Sequence, residues 1–353
     1  MQYDVRLRSR TSAESIAGEA AWAERYRCAT LWSSEAAHDP FLPLVVAALE
    51  TSNLPVGTGI AVAFARSPFV TAQMAWDLQR LSAGRFRLGL GSQIKAHIER
   101  RYGHPWHGAV GQMREYVECL RHAWGCWQTG ERPSYRGTIY RYDLTNPEFE
   151  PPPLPDEHAR IPLWLAAVGP AMTRLAGEIA DGLHVHTFHT EEFLRRRVLP
   201  GVAEGRRRAG RKPESLPASC PVMAGCAHDE RELSELRRVF RTNVAFYAST
   251  PAYLPVLEEA GCAEIHGTLR ALSREARWED MAALISDEIL DQFVVIDEPR
   301  AVGARLRARY EGILTQLSLY RGGERFMREE DWPGLLDALG HEGAAAPLSP
   351  PVD

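Results

Sequence analysis

A few polar residues in this chain sit where short apolar runs end, and their types are those of acid–base and anion-binding chemistry. Glu35 and His38 follow the run Ala29–Ser33. A histidine titrates near pH 6.5, which makes His38 a serviceable proton donor near neutrality, and the carboxyl of Glu35 is a second candidate beside it. The competing reading of His38 is a lone surface histidine. His184, His186 and Phe188 alternate, so in a strand they share one face, with His189 just beyond. Alternate histidines can share a metal, but no carboxylate or cysteine set accompanies these, and no metal is expected. His186 is read as a pocket or proton-donating residue and His184 as core. Gly89-Leu90-Gly91-Ser92 begins like a dinucleotide fingerprint, yet Ile94 stands where the third glycine belongs, which disfavours that fold. Ser92 and Gln93 are then strand-end residues lining a ligand. Val168-Gly169-Pro170-Ala171-Met172 opens a helix, and Pro170 suits a first turn that needs no N–H. Free amides of Gly169, Ala171 and Met172 would attract an anion such as a phosphate. An ordinary strand-to-helix turn is the alternative there.

Such residues need elements to hold them at one end of a sheet. Eight β-type runs alternate with longer helical patterns: Tyr3–Leu7, Ala29–Ser33, Val56–Ala63, Phe86–Leu90, Pro162–Ala167, Leu183–Thr187, Pro221–Cys226 and Leu314–Tyr320. The rhythm predicts an α/β fold, a (β/α)8 TIM barrel, in which chemistry gathers where the strands end. At 353 residues one such domain suffices, and it is expected over 1–339, with a helical insertion about 227–299 and a disordered tail over 340–353. Between Ser67 and Leu81 the residues Val70, Met74, Leu78 and Leu81 recur at helical spacing, and Gly84 stops that helix. A net charge of -5 supplies no basic field for nucleic acid. The longest apolar stretches, such as Leu42–Leu49, are too short to cross a bilayer, and Met1–Ser15 has no apolar segment of the signal-peptide kind. Six cysteines without a CxxC pair are expected to be reduced core thiols of a cytoplasmic protein.

Some of these runs are specific. Gly57-Thr58-Gly59-Ile60 with the residues through Pro68, then Ala83 to Lys95, are similar to the third and fourth strands of the bacterial-luciferase-like superfamily. Leu31–Glu35, Pro162–Pro170, Ala180-Asp181-Gly182 and Glu298–Val302 follow in the order that family would give, so the resemblance spans Leu31 to Tyr320. The chain most resembles the branch that uses the deazaflavin coenzyme F420. That resemblance implies a non-proline cis peptide at Gly59–Ile60, forming a bulge behind the deazaflavin ring; close packing of Gly57 and Gly59 is the plainer alternative. It implies that Ser92 and Gln93 line the ring or ribityl chain, that Val168 to Met172 hold the coenzyme's phosphate, and that Glu35, His38 or His186 supplies a proton. Arg66 and Lys95 are candidates for the coenzyme's anionic tail. His104–His107, with Trp124 and Trp127, form either an aromatic substrate wall or the core beneath a long loop.

The activity so implied is hydride transfer between F420 and an organic substrate, as reduction of a C=C, C=N or C=O bond in a small molecule or modified peptide. An FMN-dependent monooxygenase is the alternative within the fold, and a non-catalytic coenzyme-binding barrel the alternative outside enzymes. Relatives that oxidise sugar phosphates carry a glutamate soon after the fourth strand's Gly-x-Gly; here the segment reads Ser92-Gln93-Ile94, so that substrate does not transfer. A homodimer through the helices beside strands two and three is expected.

Overall fold

The computed structural model describes residues 1–8, 12–212 and 216–343. Its barrel strands are β1 (Gln2–Tyr3 continuing as Val5–Arg6), β2 (Leu31–Ser33), β3 (Val56–Thr58, resumed at Ala61–Val62), β4 (Phe86–Gly91), β5 (Leu163–Ala167), β6 (Gly182–Val185), β7 (Ala218–Val222) and β8 (Gln316–Leu319). Every neighbouring pair is parallel, in the order β1 to β8. Closure falls to β1: Gln2 and Tyr3 pair with Gln316 and Leu317 of β8, while Val5 and Arg6 pair with Leu31 and Trp32 of β2. The outer helices are α1 (Ala13–Arg25), α2 (Leu42–Glu50), α3 (Pro68–Leu81), α4 (Ala109–Thr129), α5 (Pro170–Ile179), α6 (Leu199–Arg208), α7 (Pro299–Tyr310) and α8 (Asp331–Leu339). This is the expected fold class.

Several boundaries differ from expectation for physical reasons. The third run breaks in the middle because the Gly59–Ile60 peptide is cis, the geometry the resemblance implied. The seventh run begins and ends earlier: Ala218–Val222 is the barrel strand, and Ala224–Cys226 leaves the barrel to pair with Val295–Asp297. An unbroken apolar composition through Met223 hid that change of partner. In α3 the stripe Val70, Met74, Leu78, Leu81 lies at the margin of the buried face, since Leu78 is buried while Val70 and Leu81 are each 44% exposed. The helix presents Thr71, Ala72, Ala75, Trp76, Leu78 and Gln79 inward, of which Thr71, Ala72 and Ala75 are small. Ser67 caps it through its hydroxyl, and Gly84 ends it with a φ of 84°. The insertion after β7 is helical, from Glu230–Ala248 to Asp287–Phe293, and closes with the strand Val295–Asp297. The expected tail is ordered over its first residues: Gly340 caps α8, and buried His341 accepts the Tyr3 amide at 3.1 Å and bonds the Tyr26 carbonyl at 2.8 Å. Residues 344–353 lie outside those described.

Bonds between strands that are not neighbours show what fills the barrel. Asp4 on β1 accepts the Ser219 hydroxyl of β7 at 2.5 Å. Arg6 on β1 donates to the Gly59 carbonyl of β3 at 2.8 Å, and Arg87 of β4 donates to the Thr30 hydroxyl ahead of β2. Trp32 of β2 meets the rings of Trp164 on β5 and His184 on β6, with centroids 5.2 and 4.5 Å away. A barrel of this strand number is a packed core rather than a pore, and here the packing is charged and aromatic.

Glycine 89 is set by that filling. A Cβ there would lie 1.9 Å from the Thr58 carbonyl oxygen and 2.7 Å from His184 Nε2, neither able to retreat. Gly89→Ala is expected to cost about 3 kcal/mol, as overpacking of a rigid core does, measured by urea unfolding against the parent.

Candidate active site

A cavity of about 850 Å³ opens where the strands end. One wall is Ile60 with Ala166, Ala167 and Val168 of the β5 end; the far wall, across the mouth, is Tyr247 of the insertion and Tyr320 after β8. Arg6 and His184 form the floor, and Arg8, Arg321 and Arg325 stand at the rim. Ile60 owes its place to two glycines. The cis peptide at Gly59 turns it toward the cavity, and a Cβ on Gly91 would lie 2.8 Å from its Cδ1. A flat ring laid against Ile60 therefore meets an apolar plate, with small side chains at Ala166 and Ala167 leaving it room.

Of the residues expected to form the site, Glu35, Gly59, Ile60, Gln93, Val168 and His186 line this cavity. The others lie beside it or away from it. His38 is exposed in the bend after β2. Ser92 turns its hydroxyl to the Gln93 carbonyl at 3.1 Å. Gly169 and Ala171 are exposed at the start of α5, while Met172 is buried on that helix's inner side. Gly169 has no capping side chain, and first-turn amides have no intrahelical acceptor, so those of Ala171 and Met172 are free to meet an anion arriving from the cavity side.

Glu35 is held as a buried ion pair. Arg66 approaches its two oxygens at 2.7 and 3.1 Å, and the Val62 amide donates to it at 2.7 Å. This ties the β2 end to the segment after the cis peptide and removes Arg66 from the anion-binding candidates. Lys95 is likewise paired, with Glu99 at 3.7 Å. Trp124 donates to the Ala72 carbonyl and Trp127 packs on Trp76, so both belong to the core between α3 and α4 rather than to a substrate wall.

His186 has a defined tautomer. Its Nδ1 accepts the Phe188 amide at 3.1 Å, which leaves the proton on Nε2, 2.9 Å from the Tyr253 hydroxyl. Burial, and then the neighbouring His189, hold its pKa down at about 4. His189 bonds the His186 carbonyl and the Tyr310 hydroxyl, and burial holds it at about 4 as well. Both imidazoles are neutral at pH 7. His184, 4% exposed, is pushed well below the usual histidine range, first by burial and then by Arg6. Its ring nitrogens are sealed from solvent, with the Thr58 backbone as a hydrogen-bonding neighbour.

Sequence reading missed Arg6, Tyr247 and Tyr320. Arg6 carried a signal, since Asp4 and Arg6 alternate with Val5 and Leu7, as inward polar residues of a barrel strand do. Tyr247 and Tyr320 carried none: their hydroxyls are 2.7 Å apart but 73 positions separate them in the chain.

The luciferase-like monooxygenase family model matches residues 3–316. An uncharacterized protein of Mycobacterium tuberculosis is 42% identical over 286 residues, 81% of this chain and 84% of that protein. The 5,10-methylenetetrahydromethanopterin reductase of Archaeoglobus fulgidus is 27% identical over 282 residues, 78% of this chain and 79% of the reductase. Among solved structures, the coenzyme F420 dependent tetrahydromethanopterin reductase of Methanopyrus kandleri superposes with a TM-score of 0.75 at 21% identity, covering 95% of this chain and 96% of that one. The oxygenating constituent of 3,6-diketocamphane monooxygenase from Pseudomonas putida, in complex with FMN, gives 0.66 at 18% identity over 99% of this chain and 100% of that one.

The neutral histidines predict an acid limb in stability. An unfolded histidine takes up its proton near pH 6.5, so between there and pH 4 the unfolded chain binds more protons than the native one, and stability falls as pH drops through that window. Asp4, pushed up to about 6 by burial, acts in the opposite sense and is common to parent and variant. His186→Phe is therefore expected to flatten the limb by up to ~1.4 kcal/mol per pH unit. Denaturation of parent and variant from pH 6.5 to 4 measures it, and an unchanged slope would contradict a neutral buried His186.

Proposed function

We propose, on the premise that the chain belongs to the luciferase-like monooxygenase family, that it is an F420-dependent oxidoreductase. It transfers hydride between coenzyme F420 and an organic substrate, as F420H2-dependent reduction of an activated C=C, C=N or C=O bond in a small molecule or modified peptide. The observation that carries this reading is the cavity itself, with an apolar plate at Ile60 for a flat ring and two phenols on the wall across from it. Support for F420 comes from the sequence similarity to the Archaeoglobus reductase and from the fold shared with the F420-dependent Methanopyrus reductase.

In this reading Gly59 and Ile60 back the ring, Ser92 and Gln93 lie along its edge and ribityl chain, and Val168 leads to the amides of Gly169, Ala171 and Met172 that take the phosphate. The coenzyme supplies a hydride-donating carbon, and the protein holds a substrate against it. Glu35 keeps the β2 end in place through Arg66, and His186 positions Tyr253. His38 stands outside the cavity. The proton is then given by Tyr320, whose oxygen lies 2.7 Å from that of Tyr247. Burial raises the Tyr247 pKa, so Tyr247 keeps its proton and donates it as a hydrogen bond to the Tyr320 oxygen.

Two further expectations belong to the same reading. α2 leaves Leu42 and Leu49 71% and 63% exposed, apolar surface that a homodimer through the helices beside β2 and β3 would cover. A cytoplasmic location agrees with six buried, unbridged cysteines. No helix among the described residues is long and apolar enough to cross a membrane.

Titrating the purified protein with F420 and, separately, FMN, while following quenching of coenzyme fluorescence, is expected to show the tighter complex with F420. Tight FMN binding without F420 binding would replace this reading by that of an FMN-dependent monooxygenase. Tyr320→Phe is expected to lower the rate of substrate reduction roughly 100-fold or more while leaving F420 affinity unchanged. A Tyr320→Phe enzyme as fast as the parent would exclude the phenol as proton donor.

A further inference from the structure

Buried charge inside the barrel is out of balance. Asp4 is the carboxylate facing two guanidiniums, Arg6 and Arg87, so that even when ionised it balances one of the two positive charges. His184 lies beside them as a neutral ring and adds no negative charge. The rim differs. Arg8 is paired with Glu324 at 2.8 Å and Arg325 with Glu235 at 2.8 Å, and Arg321 is exposed to solvent, which screens it. Among the described residues, only at the floor does an under-compensated cation border the cavity from a low-dielectric side, where attraction for an anion is strongest.

Arg6 also has donors to spare. Its Nη1 holds the Gly59 carbonyl at 2.8 Å, and no other hydrogen bond of its guanidinium is found among the described residues. Its Nη2 has no partner among the described residues and is not sealed from solvent, so it opens to the cavity that Arg6 lines. Buried polar groups are normally satisfied, and an unbonded guanidinium nitrogen at the bottom of a cavity is a donor that a ligand can complete. Because Arg6 also grips the bulge carbonyl, its position is fixed before anything binds, and a guanidinium matches the flat fork of a carboxylate.

We infer that the cavity floor is a binding site for a planar delocalised oxyanion, a carboxylate or an enolate-like oxygen edge, with Arg6 as the principal donor and His184 beside it. The inference deepens the coenzyme reading and rests on the same cavity. The edge has two possible sources with one chemistry, the carbonyl edge of the coenzyme ring or a carboxylate carried by the substrate. In the second case the substrate class narrows to carboxylic acids whose reducible bond lies near the acid group.

Trp32 and Trp164, whose rings pack on His184 with centroids 4.5 and 5.3 Å away, make the floor observable by fluorescence. The full chain without coenzyme is titrated at low salt with benzoate and with its neutral analogue benzamide. Benzoate is expected to bind at least tenfold tighter, Arg6→Met to abolish the difference, Arg6→Lys to retain part of it, and Arg321→Gln to leave it within twofold. Equal binding of the two probes, no binding of benzoate, or loss of the preference in Arg321→Gln rather than Arg6→Met would overturn the site. The comparison of probes in the parent decides even if Arg6→Met does not fold. Repeating the titration with the coenzyme site saturated identifies the source: blocked benzoate assigns the floor to the coenzyme's carbonyl edge, and persisting benzoate assigns it to a substrate carboxylate. The titration without coenzyme does not depend on F420, so failure of the coenzyme assignment and failure of the anion site are read separately.

Discussion

Asp4, Arg6 and Arg87 share the inside of one barrel, and the rest of the molecule is arranged around keeping them there. Charged groups removed from water must be paired or bonded, and these three do so by reaching past their neighbouring strands, to Ser219, to the Gly59 carbonyl and to Thr30. Each bond spans the interior, so together they hold the relative heights of β1, β3 and β7, and of β2 and β4, as ladder hydrogen bonds alone would not. Trp32, Trp164 and His184 fill what remains. Glycine at 57 and 89 is the consequence, since a Cβ at Gly57 would lie 2.5 Å from the Trp32 ring and one at Gly89 within 1.9 Å of a carbonyl.

The same interior explains the cavity above it. Arg6 and the Ser34 hydroxyl both donate to the Gly59 carbonyl at 2.8 Å, so the bulge that presents Ile60 is gripped from the floor and from the β2 end. Glu35, bonded to the Val62 amide and to Arg66, secures the segment on the other side of the bulge. A ring-binding plate is thus built from backbone and buttressed by side chains, the order of construction that positions a cofactor without relying on a mobile loop. The insertion after β7 completes the enclosure through Tyr247 and Tyr253, which meet His186 and Tyr320.

Two kinds of residue were hard to place from sequence. The apolar pattern of α3 caught Leu78 but displaced the rest of the buried face, because Thr71, Ala72 and Ala75, which also pack inward, carry little hydrophobic signal. The seventh strand was misplaced because its apolar run continues into a segment that pairs elsewhere, with Val295–Asp297. Composition shows that a run is buried and does not show beside which strand.

The sequence by itself determined the barrel and most of the strand ends that border the cavity, because alternation and glycine placement act over a few neighbouring residues and need no distant partner; the cis peptide at Gly59–Ile60 was implied by the family resemblance. Only the tertiary structure decided which polar residues are free to act. Glu35 was a candidate acid until Arg66, 31 positions away, was found closing on both its oxygens. His186 was a candidate donor until the Phe188 amide took its Nδ1 and burial held it neutral. The charge of Arg6 and the pairing of Tyr247 with Tyr320 gain their meaning from groups brought together across the barrel mouth. Protonation and hydrogen bonding depend on surroundings in three dimensions, and the linear order of residues does not contain them.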